Sequence, residues 1–336
     1  MKSVLQILLL ALFSIPVFSQ KITKPEDAGC TLIKLASATE DSVQFLVNGT
    51  GADLQRKKPV FLFIQGSLPN PLLLYDEHVY GVFPFKTGAY RDSFHFVVVS
   101  KPGIPVIADT RTLDAQMCYK DKATGRFPEK YVANNHLDFY VQQHREVLAW
   151  LAQQPWVDIS KIVVCGGSQG ATVAAKLASV EPKITHLIYY SGNPNGRLDE
   201  EVRRIQQDVA MGKMSGEKAL TKLTEVQQYW AWLYANAEST DDTHGDPPKT
   251  TVSFSKPARE YLTQLNIPVL VAFGTADLTA APCATLPLDF LRKGKTNLTL
   301  KIYPNYDHHF FEKKAEGGAQ QYRLNEAFEE WMKWVN

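Results

Sequence analysis

The sequence is short of the features that would tie it to a metal, a nucleic acid or a lipid bilayer. Only four of its 336 residues are cysteine: Cys30, Cys118, Cys165 and Cys283. None stands near histidines at a ligand spacing, so no metal site is expected. The formal net charge is +1, so no field of one sign favours nucleic acid or an anionic surface. There is no internal repeat and no long low-complexity tract. There is also no exposed aromatic ladder of the kind that binds polysaccharide, and no large interfacial apolar helix. The one prominent terminal apolar run, Val4–Phe13, is too short for a comfortable membrane span.

What is present suits a globular domain. Apolar residues make up 45% of the chain and charged residues 21%, enough to build a core without covalent staples. Lys2, the run Val4–Phe13, Ser14, Pro16 and Ser19 have the layout of a secretory signal peptide. We therefore expect residues 1–19 to be removed and the mature protein to be periplasmic or secreted, with no membrane span of its own. An exported protein can form disulfides. Cys165 ends an apolar run and should pack as a small hydrophobe. The pairing of Cys30, Cys118 and Cys283 stays open: a Cys118–Cys283 bridge and free thiols are both compatible with the sequence.

Thr31–Ala36 and Ser42–Val47 read as a hairpin. Six short apolar runs follow: Val60–Ile64, Phe94–Val99, Lys161–Cys165, Ile184–Tyr190, Ile267–Phe273 and Leu298–Tyr303. Each is bounded by Gly, Pro or Asn, as strands buried on both faces of a parallel sheet should be. Helical patterns lie between or after them at Leu137–Gln153, Ser168–Val180, around Phe290 and at Gln321–Val335. The alternation predicts a three-layer α/β domain with a mostly parallel central sheet. Residues 197–262 break the alternation and are too long for a loop. They are expected to form an inserted helical cap on a core of residues 20–196 and 263–336. Within the insert, Trp230, Trp232 and Tyr234 are candidates for the substrate pocket, although such aromatics also serve to glue a cap down.

The sharpest local pattern is Gly166-Gly167-Ser168-Gln169-Gly170, between a buried strand and a helix rich in small residues. A serine there must sit on a tight, strained turn that lifts its hydroxyl clear of the sheet, and the flanking Gly166 and Gly170 relieve crowding. With this context the chain resembles the α/β-hydrolase family of serine hydrolases. That resemblance implies Ser168 as nucleophile, followed along the chain by an acid and a base. Asp277 follows the strand Ile267–Phe273, where the family places its acid; aspartate there also suits a turn. His308, in Asp307-His308-His309-Phe310, resembles the family's histidine loop, with His309 as its rival. The resemblance also implies an oxyanion hole made of the Gln169 amide and an amide in Gln65-Gly66-Ser67, where many relatives carry His-Gly. Ser67 is the favoured donor and Gly66 the residue permitting close approach; which amide points inward stays open.

The expected activity is hydrolysis of a carboxylic ester, or of a small peptide or amide, through an acyl-enzyme and with no cofactor. The partner would be a small-molecule ester or a short peptide. Two alternatives remain: an acyltransferase using the same three residues, and a non-catalytic binding protein on the same scaffold.

Overall fold

A computed structural model describes residues 24–38, 40–76, 79–81, 83–241, 246–313 and 319–336; the expected signal segment, 1–19, lies outside them. The strands are β1 (Cys30–Leu35), β2 (Val43–Asn48), β3 (Lys58–Ile64), β4 (Leu73–Tyr75), β5 (Val79–Gly81), β6 (His95–Val99), β7 (Ile107–Asp109), β8 (Val157–Gly167), β9 (His186–Tyr190), β10 (Val269–Gly274), β11 (Leu298–Tyr303), β12 (Phe311–Glu312) and β13 (Gln321–Tyr322). The helices are α1 (Glu129–Asn134), α2 (Leu137–Leu151), α3 (Gln169–Val180), α4 (Asp199–Ala210), α5 (Gly216–Ala235), α6 (Pro248–Ser253), α7 (Ala258–Leu262), α8 (Leu286–Arg292) and α9 (Leu324–Val335).

One eight-stranded sheet runs in the order β1-β2-β6-β3-β8-β9-β10-β11. The β1–β2 and β2–β6 pairs are antiparallel. From β6 to β11 every neighbour is parallel. Each of the six apolar runs contributes a strand of this parallel part. The reason is visible in the alternation of side chains. Val60, Leu62 and Ile64 of β3 face one core, whereas Phe61 and Phe63 face the other. β8 and β10 alternate in the same way. A strand covered on both sides needs apolar residues at every position.

The two cores differ in texture. On one face α2 and α3 pack with Ala171, Ala174 and Ala175 fully buried, which lets α3 lie close to the sheet. On the other, α9 presents Leu324, Ala327, Phe328, Trp331, Met332 and Val335, an apolar stripe at helical spacing. Phe328 stacks on Phe85 with ring centroids 3.9 Å apart. The sequence pattern starts this helix at Gln321; in the structure Gln321 and Tyr322 pair with β12 and the helix begins at Leu324. Two small sheets, β5-β4-β7 and β12-β13, were not legible as apolar runs because their strands are only two or three residues long.

The segment 197–262 is not all cap. Phe254, Ala258 and Leu262 are buried in the main core, and α7 packs against α3. α4 and α5 contribute no residue to that core. All four cysteines are free and buried, so the Cys118–Cys283 bridge is not formed. The Cys283 thiol instead donates to the Gly192 carbonyl at 3.4 Å. Among the described residues no helix is long and apolar enough to cross a membrane, and no cluster of three or more His, Cys, Asp or Glu residues could hold a metal ion.

Candidate active site

The carboxyl ends of β3, β8, β9, β10 and β11 converge on one place. There the chain leaves each strand by a loop, and the loops carry Gly66-Ser67, Ser168, Ser191, Asp277 and His308. This is the end of an open parallel sheet at which loop residues from different strands can meet.

Ser168 joins β8 to α3 with φ 54° and ψ −122°, a backbone conformation an L-residue adopts only under constraint. Close packing supplies that constraint. A Cβ at Gly166 would lie 2.2 Å from the Gly170 carbonyl oxygen, and one at Gly170 would lie 2.2 Å from the Ile64 oxygen. Only glycine permits this crossing of β3, β8 and α3. The Ser168 N–H donates to the Tyr190 carbonyl at 3.0 Å. Gly66 behaves differently from expectation. A Cβ there would meet nothing nearer than 3.8 Å, from the Gly167 oxygen and Ser168 Cβ. Backbone approach therefore does not demand glycine at position 66.

The structure brings Ser168, His308 and Asp277 into one chain of hydrogen bonds. His308 Nδ1 lies 3.0 Å from Asp277 Oδ2, and His308 Nε2 lies 3.0 Å from Ser168 Oγ. A carboxylate only accepts, so the neutral imidazole carries its proton on Nδ1 and Nε2 is left to accept from the serine hydroxyl. Asp277 is 2% exposed. Its second oxygen accepts from the Thr279 and Ala280 amides at 3.0 and 3.2 Å, which fixes the carboxylate plane. Burial lowers the proton affinity of His308, but the hydrogen bond and charge of Asp277, with Glu200 and Asp307, outweigh it and raise its pKa above the ordinary value.

The histidine loop is built to hold that ring. Asp307 Oδ1 accepts from the His309 and Phe311 amides at 3.0 and 2.9 Å. Ser191 Oγ donates to the His308 carbonyl at 2.9 Å. Phe310, with φ 61°, is fully buried against Tyr190, Tyr303 and Trp331. His309 is exposed, its ring edge-on to that of His308 at 5.2 Å; it lines the mouth of the groove and does not reach Ser168.

Among the described residues the amides of Gly66, Ser67 and Gln169 have no protein acceptor. The Gln169 side chain is engaged elsewhere: its amide donates to Asn135 Oδ1 at 3.3 Å and its oxygen accepts from Arg197.

Two depressions meet at Ser168. One is an apolar groove of about 460 Å³, walled by Leu68, Pro71, Leu72, Tyr190, Phe311 and Leu324. The other is a polar cleft of about 350 Å³ lined by residues that include Asn193, Arg197, Glu200 and Asp246. Trp230, Trp232 and Tyr234 line neither, which corrects their assignment to the pocket; the insert lines the polar cleft through Arg197, Glu200 and Asp246 instead. α5 turns Trp232 and Tyr234 to solvent, 39% and 59% exposed. The groove wall comes instead from Leu68, Pro71 and Leu72 after β3, Tyr190 of β9, Phe311 of β12 and Leu324 at the start of α9. The apolar stretch Leu72-Leu73-Leu74, soon after the Gly66 loop, was the available signal.

Comparison with known proteins agrees with this architecture. The family profile described as alpha/beta hydrolase fold matches residues 134–312, more than half of the chain. No curated protein sequence matches. Among solved structures, a candidate dipeptidyl aminopeptidase IV from Bacteroides ovatus superposes with a TM-score of 0.54 at 10% identity, over 91% of this chain and 35% of its own. The acylaminoacyl peptidase of Pyrococcus horikoshii gives 0.51 at 14% identity, over 86% of this chain and 43% of its own. DcsB in complex with its substrate analogue gives 0.51 at 13% identity, over 91% and 100%. The chain thus spans less than half the length of each of the two peptidases. At these identities the likeness is one of fold.

Proposed function

The chain belongs to the α/β-hydrolase family, and from that premise we propose that it is a serine hydrolase acting on small carboxylic esters through an acyl-enzyme. The observation that carries this reading is the Asp277–His308–Ser168 relay, with both hydrogen bonds at 3.0 Å, opening on an apolar groove. Ser168 Oγ attacks the ester carbonyl while His308 Nε2 takes its proton. The resulting oxyanion faces the unpartnered amides of Gln169 and Ser67. The bond to the leaving oxygen then breaks and His308 returns the proton to the departing alcohol. Water, deprotonated by the same imidazole, cleaves the acyl-enzyme. Asp277 keeps the imidazole in the required tautomer and stabilises the imidazolium. A groove of this size and lining suits a modest apolar acyl or alcohol group.

We also infer export, from the Lys2 and Val4–Phe13 pattern; N-terminal sequencing of protein recovered from its native host, starting near residue 20, is the expected result. The activity is tested by mixing the mature protein with short-chain p-nitrophenyl esters and following release of the phenol together with intact mass. The expected outcome is turnover, with a transient adduct equal to the acyl group that maps to the peptide holding Ser168. Absence of both across esters and aminoacyl anilides, in folded protein, would sink the proposal.

A further inference from the structure

Lys101 follows β6, the strand beside β3 in the sheet, and is buried, at 6% exposure. A lysine in such a place has to spend its donors on something. Lys101 spends them on backbone: Nζ donates to the Gly66 carbonyl at 2.6 Å and to the Ser67 carbonyl at 2.8 Å. Tyr131 Oη donates to the same Ser67 carbonyl at 2.8 Å. The rings of Tyr131 and Tyr140 each lie 5.7 Å from Nζ. Among the described residues no carboxylate lies within ion-pair distance of it. The two carbonyls are its main partners.

A trans peptide fixes the consequence. The C=O of one residue and the N–H of the next point in opposite directions. With the Gly66 carbonyl held on Lys101, the Ser67 N–H must face away from Lys101, on the side where Ser67 and Ser168 line the same groove. We infer that Lys101 is the positioning residue of the oxyanion hole: it pins the Gly66 and Ser67 carbonyls and so aims the Ser67 amide at the oxygen of the reacting carbonyl. This rests on the serine-hydrolase reading above. The inference assigns Ser67 as the loop donor, because the Gly66 N–H precedes the pinned carbonyls and is not aimed by them.

The arrangement keeps an amine buried at a cost. Burial, reinforced by Arg197 and opposed by Asp246 and Cys118, pushes the Lys101 pKa down to about 7. Neutral or charged, the amine still has hydrogens for both carbonyls. A methionine would fill the same space and donate none.

The test is Lys101→Met in the full chain. Loss of one oxyanion donor lowers kcat by roughly 10² to 10³ in other hydrolases. The expected result is therefore a kcat reduced by about 10²-fold with KM changed less than about twofold. An aryl boronic acid, whose tetrahedral adduct mimics the intermediate, should weaken by a similar factor. Tyr131→Phe, which removes only the second donor to Ser67, should lower kcat several-fold with KM unchanged. Amide hydrogen exchange of the peptide spanning residues 60–70 should be faster in Lys101→Met than in the native protein. Folded Lys101→Met with native kcat and native boronate affinity would overturn the inference, as would unchanged kcat in Tyr131→Phe should Lys101→Met fail to fold. A native protein with no hydrolytic activity would instead defeat the proposed function, and hydrogen exchange would then decide alone: faster exchange supports the clamp and unchanged exchange refutes it.

Discussion

Two helices of this protein make a useful contrast. α3 buries eight of its twelve residues, touches the sheet through alanines, and starts directly after Ser168. α5 is longer, at twenty residues, yet buries only Ala219 and Leu233 and turns Trp232 and Tyr234 outward. Position on the sheet accounts for the difference. α3 has β8 and β3 beneath it and α7 beside it, so small residues and two obligatory glycines hold its first turn, and with it Ser168, in one place. α5 rests mainly on α4 and α6. Chemistry that needs sub-ångström placement is built on the first kind of element. Aromatic residues on the second kind reveal composition but not which way they face.

The contrast can be broken or sharpened by substitution. The largest effect is expected at the relay. Asp277→Asn leaves the buried site isosteric but reverses one hydrogen bond, so turnover should fall roughly 10⁴-fold with an unchanged fold; ester kinetics with circular dichroism check this, and a native rate would remove Asp277 from the mechanism. Gly170→Ala comes next. The new methyl must displace the Ile64 carbonyl, which should cost about 3 kcal/mol of stability and disturb Ser168. A lower thermal midpoint together with slower acylation is the expected reading, and neither change would mean that the elbow is looser than the packing requires. Glu200→Gln removes an anion that helps raise the His308 pKa. The imidazole must be neutral to accept the serine proton, so activity is lost as pH falls through that pKa. Lowering the pKa moves the acid limb of kcat/KM to lower pH; a shift the other way would contradict the assignment of His308 as the base. Tyr234→Ala should do least, with stability within about 0.5 kcal/mol and ester kcat/KM within about twofold. A large loss there would place α5 in the substrate pocket.

Much of this was legible in the sequence because sheet burial dictates it. Strands covered on both faces cannot hide their apolar runs, so the five inner strands of the parallel part were readable; the part-buried edge strand β11 was readable from its run Leu298–Tyr303. Strand ends in such a fold lie together, and the resemblance to the α/β-hydrolase family pointed to Ser168, Asp277 and His308 at the ends of β8, β10 and β11 before any coordinate was known. Apart from the apolar stretch Leu72-Leu73-Leu74, the walls of the groove were not legible. They come from the segment after β3 and from Phe311 and Leu324 at β12 and the start of α9, and the strands there are too short to show a period. Lys101 gave no signal at all. A lysine after a strand and before Pro102-Gly103 reads as a surface turn, and only its burial and its two carbonyl partners set it apart. His308 and His309 differ by one residue in sequence and by everything in environment, because the Asp307 caps and the buried Phe310 decide which ring faces inward.

The most direct test of the central claim is fluorophosphonate labelling of the protein beside Ser168→Ala, with the modified peptide mapped. The relay predicts rapid labelling confined to Ser168 and none in the variant. A folded native protein that does not label, or labels elsewhere, would contradict it, and the site would then be a binding cleft on a hydrolase scaffold.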